Sequence, residues 1–117
     1  DAAKSGWKRR IITIFQPHLY SRTRDFYKEF AKSFLKSDIL IITDIYGARE
    51  KAIPNITSEI IVNEIKNLGH TQVKYIKEQN TIAQYLKEIA NEGDMVITMG
   101  AGNIWRQCEN INRALSN

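Results

Sequence analysis

The sequence predicts an α/β domain, and three observations carry that prediction. Short apolar runs rich in Ile, Val, Leu and Met alternate with longer segments whose apolar residues recur at helical spacing. The strand-then-helix unit occurs four times, and the helical segments are long enough to serve as the crossovers that successive parallel strands need. The length of 117 residues, with 43% hydrophobic and 26% charged residues, suits one compact domain over residues 1–117 and is short for two cores.

The elements follow in order. Residues 1–10, "DAAKSGWKRR", read as the tail of a helix with its turn. The run "RIITIF" at 10–15 is nearly continuous in apolar residues, the pattern of a strand buried on both faces of a parallel sheet. Pro17 cannot donate to a ladder, so it ends the strand and restricts Gln16 to an extended conformation. A helix is predicted over 21–36, with Phe26, Phe30, Phe34 and Leu35 on its apolar face and Ser21 or Thr23 as cap. "DILIITDI" at 38–45 is the second strand, and "YGAREKAIPN" at 46–55 is the longest irregular stretch.

The next helix is predicted over 57–68, with Ile60, Ile61, Ile65 and Leu68 apolar, Thr57 and Ser58 at its start and Gly69 as its stop. "QVKYI" at 72–76 alternates apolar with polar, which places it toward an edge. A helix over 81–91 carries Ile82, Leu86, Ile89 and Ala90, and "DMVITM" at 94–99 is the fourth buried strand. The last helix, over 103–115, has Ile104, Cys108, Ile111 and Leu115 at helical spacing. The order β-α-β-α-β-α-β-α is that of a Rossmann-like open, mostly parallel sheet with helices on both faces.

Composition narrows the functional classes. A net charge of +4 is a mild excess, compatible with an anionic small molecule and weak for nucleic acid. Cys108 is the single cysteine, so no intrachain disulfide forms, and a reducing cytoplasm is expected. Its expected role is that of an ordinary buried or half-buried side chain. The apolar runs are too short to span a membrane, so no membrane partner is expected. His18 and His70 are the two histidines; no metal cluster is expected, and His70, beside Gly69, is expected to be exposed.

In open parallel sheets ligands bind beyond the carboxyl ends of the strands. Three of the four strand ends carry unusual residues. The first gives "FQPHLYSRTRDF", where Pro17 stiffens the corner that carries His18 and Tyr20, and where Arg22 and Arg24 fall in the first turn of the helix. Cations there oppose the helix dipole, and a carboxylate or phosphate at the same helix end would offset that cost. Pairing of the two arginines with Asp25 and Glu29 on a solvated face is the competing account. The second end gives "TDIYGAREKAIP", with Asp44 and Tyr46 closing the strand and Arg49, Glu50 and Lys51 expected in solvent. Asp44 can orient an arginine of the first loop, meet a ligand amine, or cap its own loop. The fourth gives "GAGN", where Gly100 and Gly102 allow a ligand to approach the backbone and Asn103 opens the last helix. Neither a full dinucleotide fingerprint nor an ATP phosphate loop is present.

These three stretches, in that order, resemble the C-terminal domain of the Mur ligases, within the branch that acts on L-alanine. The resemblance runs over essentially the whole chain. It implies an ATP-dependent amide-forming ligase of peptidoglycan synthesis, in which a UDP-N-acetylmuramate carboxylate is activated as an acyl phosphate and attacked by the L-alanine amine. ATP and Mg²⁺ would be bound mainly by a central domain outside this sequence. The present chain would then be an inactive piece of the third domain, lacking that domain's first strand, and the exposed sheet edge could pair with a second copy. By motif match His18 and Arg22, with Tyr20, face the alanine end of the site, and Asp44, Tyr46, Arg24, Gly100, Gly102 and Asn103 support it. Leu19 stands where many members have arginine, and Arg49 where glycine is common. The ligase that recycles a muramyl tripeptide is a second reading. A stand-alone nucleotide- or RNA-binding module and a small transferase are others.

Overall fold

The computed structural model describes residues 10–100, 104 and 107–116. The expected N-terminal helix tail, Gly102, Asn103 and the Cys108 side chain lie outside the described residues. The elements are β1 (Ile11–Gln16), α1 (Tyr20–Ser33), β2 (Ile39–Ile42), α2 (Ser58–Asn67), β3 (Val73–Tyr75), a 3-10 turn (Gln79–Thr81) leading into α3 (Ile82–Ile89), β4 (Met95–Gly100) and α4 (Gln107–Ser116). The strands form one sheet in the order β3-β2-β1-β4, every pair parallel. The α/β, Rossmann-like expectation therefore holds, and the alternating run at β3 lies at an edge; β4, expected to be buried, is the other edge, with Ile97 and Met99 exposed.

Side-chain parity divides the sheet into two cores. Phe15, Leu40 and Ile42 point to the face covered by α1 and α2, where they meet Ala31, Phe34, Ile61 and Ile65. Ile12, Ile14 and Ile41 point to the opposite face and meet Ile82, Leu86, Ile104 and Ile111 from the α3 and α4 side. The register explains the match: Ile14 lies beside Ile41 and Phe15 beside Ile42, so residues of like parity share a face. All six residues of β1 are buried, as expected of a central parallel strand.

The apolar face of α1 includes Phe30 and Phe34 as expected but not Phe26. Phe26 is 46% exposed, while Thr23 and Ala31 are fully buried. The buried stripe runs through Thr23, Tyr27, Phe30, Ala31 and Phe34, a helical face on which Phe26 has no place. At α2 the sequence signals hold: the Thr57 hydroxyl accepts from the Glu59 N–H at 3.2 Å, and Gly69 ends the helix at φ +99°.

His70 corrects an expectation of exposure. It is half-buried, its Nε2 lies 2.5 Å from the Ser37 carbonyl, and its Nδ1 accepts from the Gln72 N–H at 3.1 Å. The ring therefore ties the turn before β3 to the turn before β2. At the same end of the sheet Arg10 clamps the start of β4. Its Nη2 donates to Asp94 at 2.7 Å and to the Ile89 carbonyl at 2.8 Å.

Candidate functional site

The chain runs from β1 outward through β2 to β3 and returns to the far side of β1 as β4. The reversal point therefore lies between β1 and β4, and the crevice beyond the carboxyl ends of the strands opens there. An open cavity of about 470 Å³ occupies this end of the sheet, lined by Gln16, Asp44, Tyr46, Lys77, Glu78 and Gln107 among others.

Pro17 ends β1 as expected, and the corner after it is tied to the second loop. The Leu19 N–H donates to the Tyr46 carbonyl at 2.9 Å, and the Tyr46 N–H donates to the Pro17 carbonyl at 2.8 Å. This is a one-residue extension of parallel pairing between His18 and Tyr46. Their rings stack, with centroids 5.9 Å apart and planes 17° apart. Tyr20 packs its ring over Gly47, so closely that a Cβ on Gly47 would lie 2.7 Å from Tyr20 Cε2. The structure thus brings His18, Tyr20 and Tyr46 together at the strand ends, and Tyr46 lines the cavity.

The arginines divide. Arg24 pairs with Asp25 at 2.9 Å, both side chains about half exposed, which is the solvated arrangement weighed against a site role. Arg22 lies with its guanidinium carbon 5.8 Å from the centre of the Phe26 ring. That contact explains how Phe26 is accommodated outside the core: a weakly hydrated cation covers its face.

Asp44 stands at the end of β2, and its partner is the Tyr75 hydroxyl at the end of β3, not an arginine of the first loop. Burial, reinforced by the hydrogen bond to Asp44, raises the Tyr75 hydroxyl above the usual phenol value. The phenol thus stays a donor, and Asp44 is held facing the cavity it lines. Ser58, buried at the start of α2, donates to the Thr43 carbonyl and fixes the other side of the same strand end.

Gly100 ends β4 at φ +143°, and a Cβ there would stand 2.6 Å from the Gln16 carbonyl oxygen. The sequence suggests a ligand approaching this glycine; in the structure it is the neighbouring strand that crowds it. Gln16, 3% exposed, accepts from the Ile104 N–H at 3.0 Å and so anchors the segment leading to α4. Sequence reasoning used Gln16 only as the residue before proline. An amide closing a fully buried strand was the signal that it had a partner.

Glu50 was also missed. Expected in solvent, it is half-buried and reaches the start of α1, where it accepts from the Ser21 N–H at 2.9 Å and the Ser21 hydroxyl at 2.5 Å. Those hydrogen bonds, the hydroxyl first, hold its carboxyl below the usual glutamate value. The correction has a sequence-level cause: neither Ser21 nor Thr23 is the cap, because Leu19 occupies that position at φ 69° and offers no side-chain acceptor.

A parallel sheet that gathers polar side chains of three loops over its carboxyl edge defines an open, Rossmann-like α/β domain. Comparison with known proteins specifies it further. Residues 1–102 match the family model described as Mur ligase, glutamate ligase domain, and the chain belongs to that family. It is 50% identical over 110 residues, 94% of its length, to a UDP-N-acetylmuramate–L-alanine ligase of Geotalea uraniireducens. It is 46% identical over 92% of its length to such a ligase of Trichlorobacter lovleyi. Identity to the ligase of Salinibacter ruber is 42% over the whole chain. The chain spans about a quarter of these relatives, 24%, 24% and 25% of their respective lengths.

Proposed function

We propose that the chain is the C-terminal domain of an ATP-dependent ligase that joins L-alanine to UDP-N-acetylmuramate in peptidoglycan synthesis. The observation that carries this reading is the His18–Tyr46 closure of the first and second loops at the strand ends, in a chain whose relatives bear that name. The Arg22 guanidinium and the His18 imidazole bind the alanine carboxylate, a pairing that favours the ionised acid. Tyr20 and Tyr46 hold the corner rigid. Asp44, fixed by Tyr75, offers a negative charge to the alanine ammonium group.

In the reaction the alanine ammonium group first releases a proton to solvent; the amine nitrogen then bonds to the acyl carbon as that carbon's bond to phosphate breaks, phosphate leaves with the electron pair, and the nitrogen's second proton is released to solvent. ATP supplies the phosphoryl group that makes the muramyl acid reactive. Among the described residues no group of three His, Cys, Asp or Glu could hold a metal ion. The proposal assigns ATP and Mg²⁺ mainly to the ligase's central domain, as the resemblance implies, and gives this domain the task of orienting the amine. The chain alone is expected to be inactive. No helix among the described residues is long and apolar enough to cross a membrane, and the proposed setting is the bacterial cytoplasm.

The test is reconstitution. The full-length protein should hydrolyse ATP in a manner dependent on both UDP-N-acetylmuramate and L-alanine, and the 117-residue chain should not. Salt-sensitive RNA binding by the chain, with no alanine dependence in the full-length protein, would favour the binding-module reading.

A further inference from the structure

The start of α1 lacks the usual means of satisfying itself. Its N-cap Leu19 has positive φ and makes no side-chain cap hydrogen bond, and the first turn contains no acidic residue. Arg22 and Arg24 near that end add to the positive potential of the helix terminus. The carboxylate that answers it comes from the second loop. Glu50 takes both the N–H and the hydroxyl of Ser21.

The segment carrying Glu50 is built for this reach. The Glu50 N–H donates to the Gly47 carbonyl at 2.8 Å, closing a turn. Ala48 takes φ 54° within it. Gly47 leaves room for the Tyr20 ring. With the His18–Tyr46 bridge, these contacts fasten the two loops at three successive points, residues 18, 20 and 21 meeting 46, 47 and 50.

We infer that Glu50 is a positioning residue: it occupies the N-terminus of α1 from the second loop, so that the acid group of an incoming amino acid is met by the His18 and Arg22 side chains and not by the helix N–H groups. The inference rests on the alanine-binding reading above. An anion-binding helix end is a strong and unselective site. Filling it with an internal carboxylate leaves recognition to the His18 imidazole, stacked on Tyr46, and the Arg22 guanidinium, set over the Phe26 ring of its own helix. Glu50 touches neither substrate nor reacting atoms.

Two measurements test it. In the full-length ligase, Glu50→Gln keeps the side-chain shape and removes the charge. It should raise the KM for L-alanine roughly tenfold, the scale of a lost charge-assisted hydrogen bond, with kcat and the KM for ATP changed little. Ser21→Ala should act in the same direction and add little to Glu50→Gln in the double variant, while Ser21→Thr should restore the parent value. In the full-length ligase, the Ser21 amide resonance should shift as Glu50 titrates, below the usual glutamate range, and should lose that titration in Glu50→Gln.

An unchanged alanine KM in Glu50→Gln, in an enzyme where Arg22→Ala raises it, would overturn the inference and leave the alanine reading intact. A Ser21 amide indifferent to Glu50 would overturn it as well. If Arg22→Ala and Glu50→Gln both leave the alanine KM unchanged, the alanine reading fails and the positioning role falls with it.

Discussion

Gly100 illustrates how one residue is fixed by its neighbour. At φ +143°, with the Gln16 carbonyl, Cβ and N–H all within 3.2 Å of where a Cβ would stand, no other side chain fits without moving the backbone of β1. Gly100→Ala should therefore cost about 1–3 kcal/mol of stability, measured by urea unfolding. A loss within a few tenths of a kcal/mol would mean the strand end relaxes freely. The same scale explains what the sequence concealed. His18 and Tyr46 were legible as candidates because Pro17 and Asp44 mark their strand ends. Their ring stacking was not legible, since it depends on the β1–β2 register continuing one residue past the strands. Tyr75 read as an alternating edge residue, and nothing local to it pointed to Asp44, 31 positions away.

At the scale of elements, all four strands and four helices were legible from apolar periodicity, which reflects burial on a sheet face or a helix stripe. The failures are at ends and faces. On α1 the expected stripe holds at Phe30 and Phe34 and fails at Phe26, which looks like core but lies at the surface under Arg22. Its cap was sought within the helix, but capping by Glu50 is a long-range contact. The Arg10–Asp94 clamp at the start of β4 was also invisible, because the partners are 84 residues apart.

That clamp has a pH consequence. Burial raises the Asp94 carboxyl, but the Arg10 hydrogen bond, the Asn91 N–H and the Arg10 charge outweigh it and hold the group below its ordinary value. A carboxyl depressed in the folded state stabilises the fold above its unfolded pKa, and that contribution is lost as pH falls through the folded value. Asp94→Asn should therefore be clearly less stable than the parent near about pH 7, with the gap closing toward about pH 2. Urea unfolding at the two pH values checks this, and a gap that widened in acid would contradict it.

At the scale of the whole molecule, the two cores and the strand order determine where chemistry can be placed. The helical layers bury the two central strands, one through Phe15 and Ile42, the other through Ile14 and Ile41, and leave β4 partly exposed. Loops from both layers then converge at the carboxyl edge, and the clamps Arg10–Asp94 and His70–Ser37 lie at the opposite end. On the proposed reading, recognition belongs to the carboxyl end, and the amino-end clamps serve stability alone. Changes at the amino end should lower unfolding resistance with little effect on the KM for alanine. The central claim is that the corner after β1 reads the acid group of the amino acid, and steady-state kinetics of His18→Ala and Arg22→Ala in the full-length ligase test it most directly. The account predicts a rise of roughly tenfold or more in the KM for L-alanine, with the KM for ATP unmoved. An alanine KM equal to the parent's in both variants would contradict it.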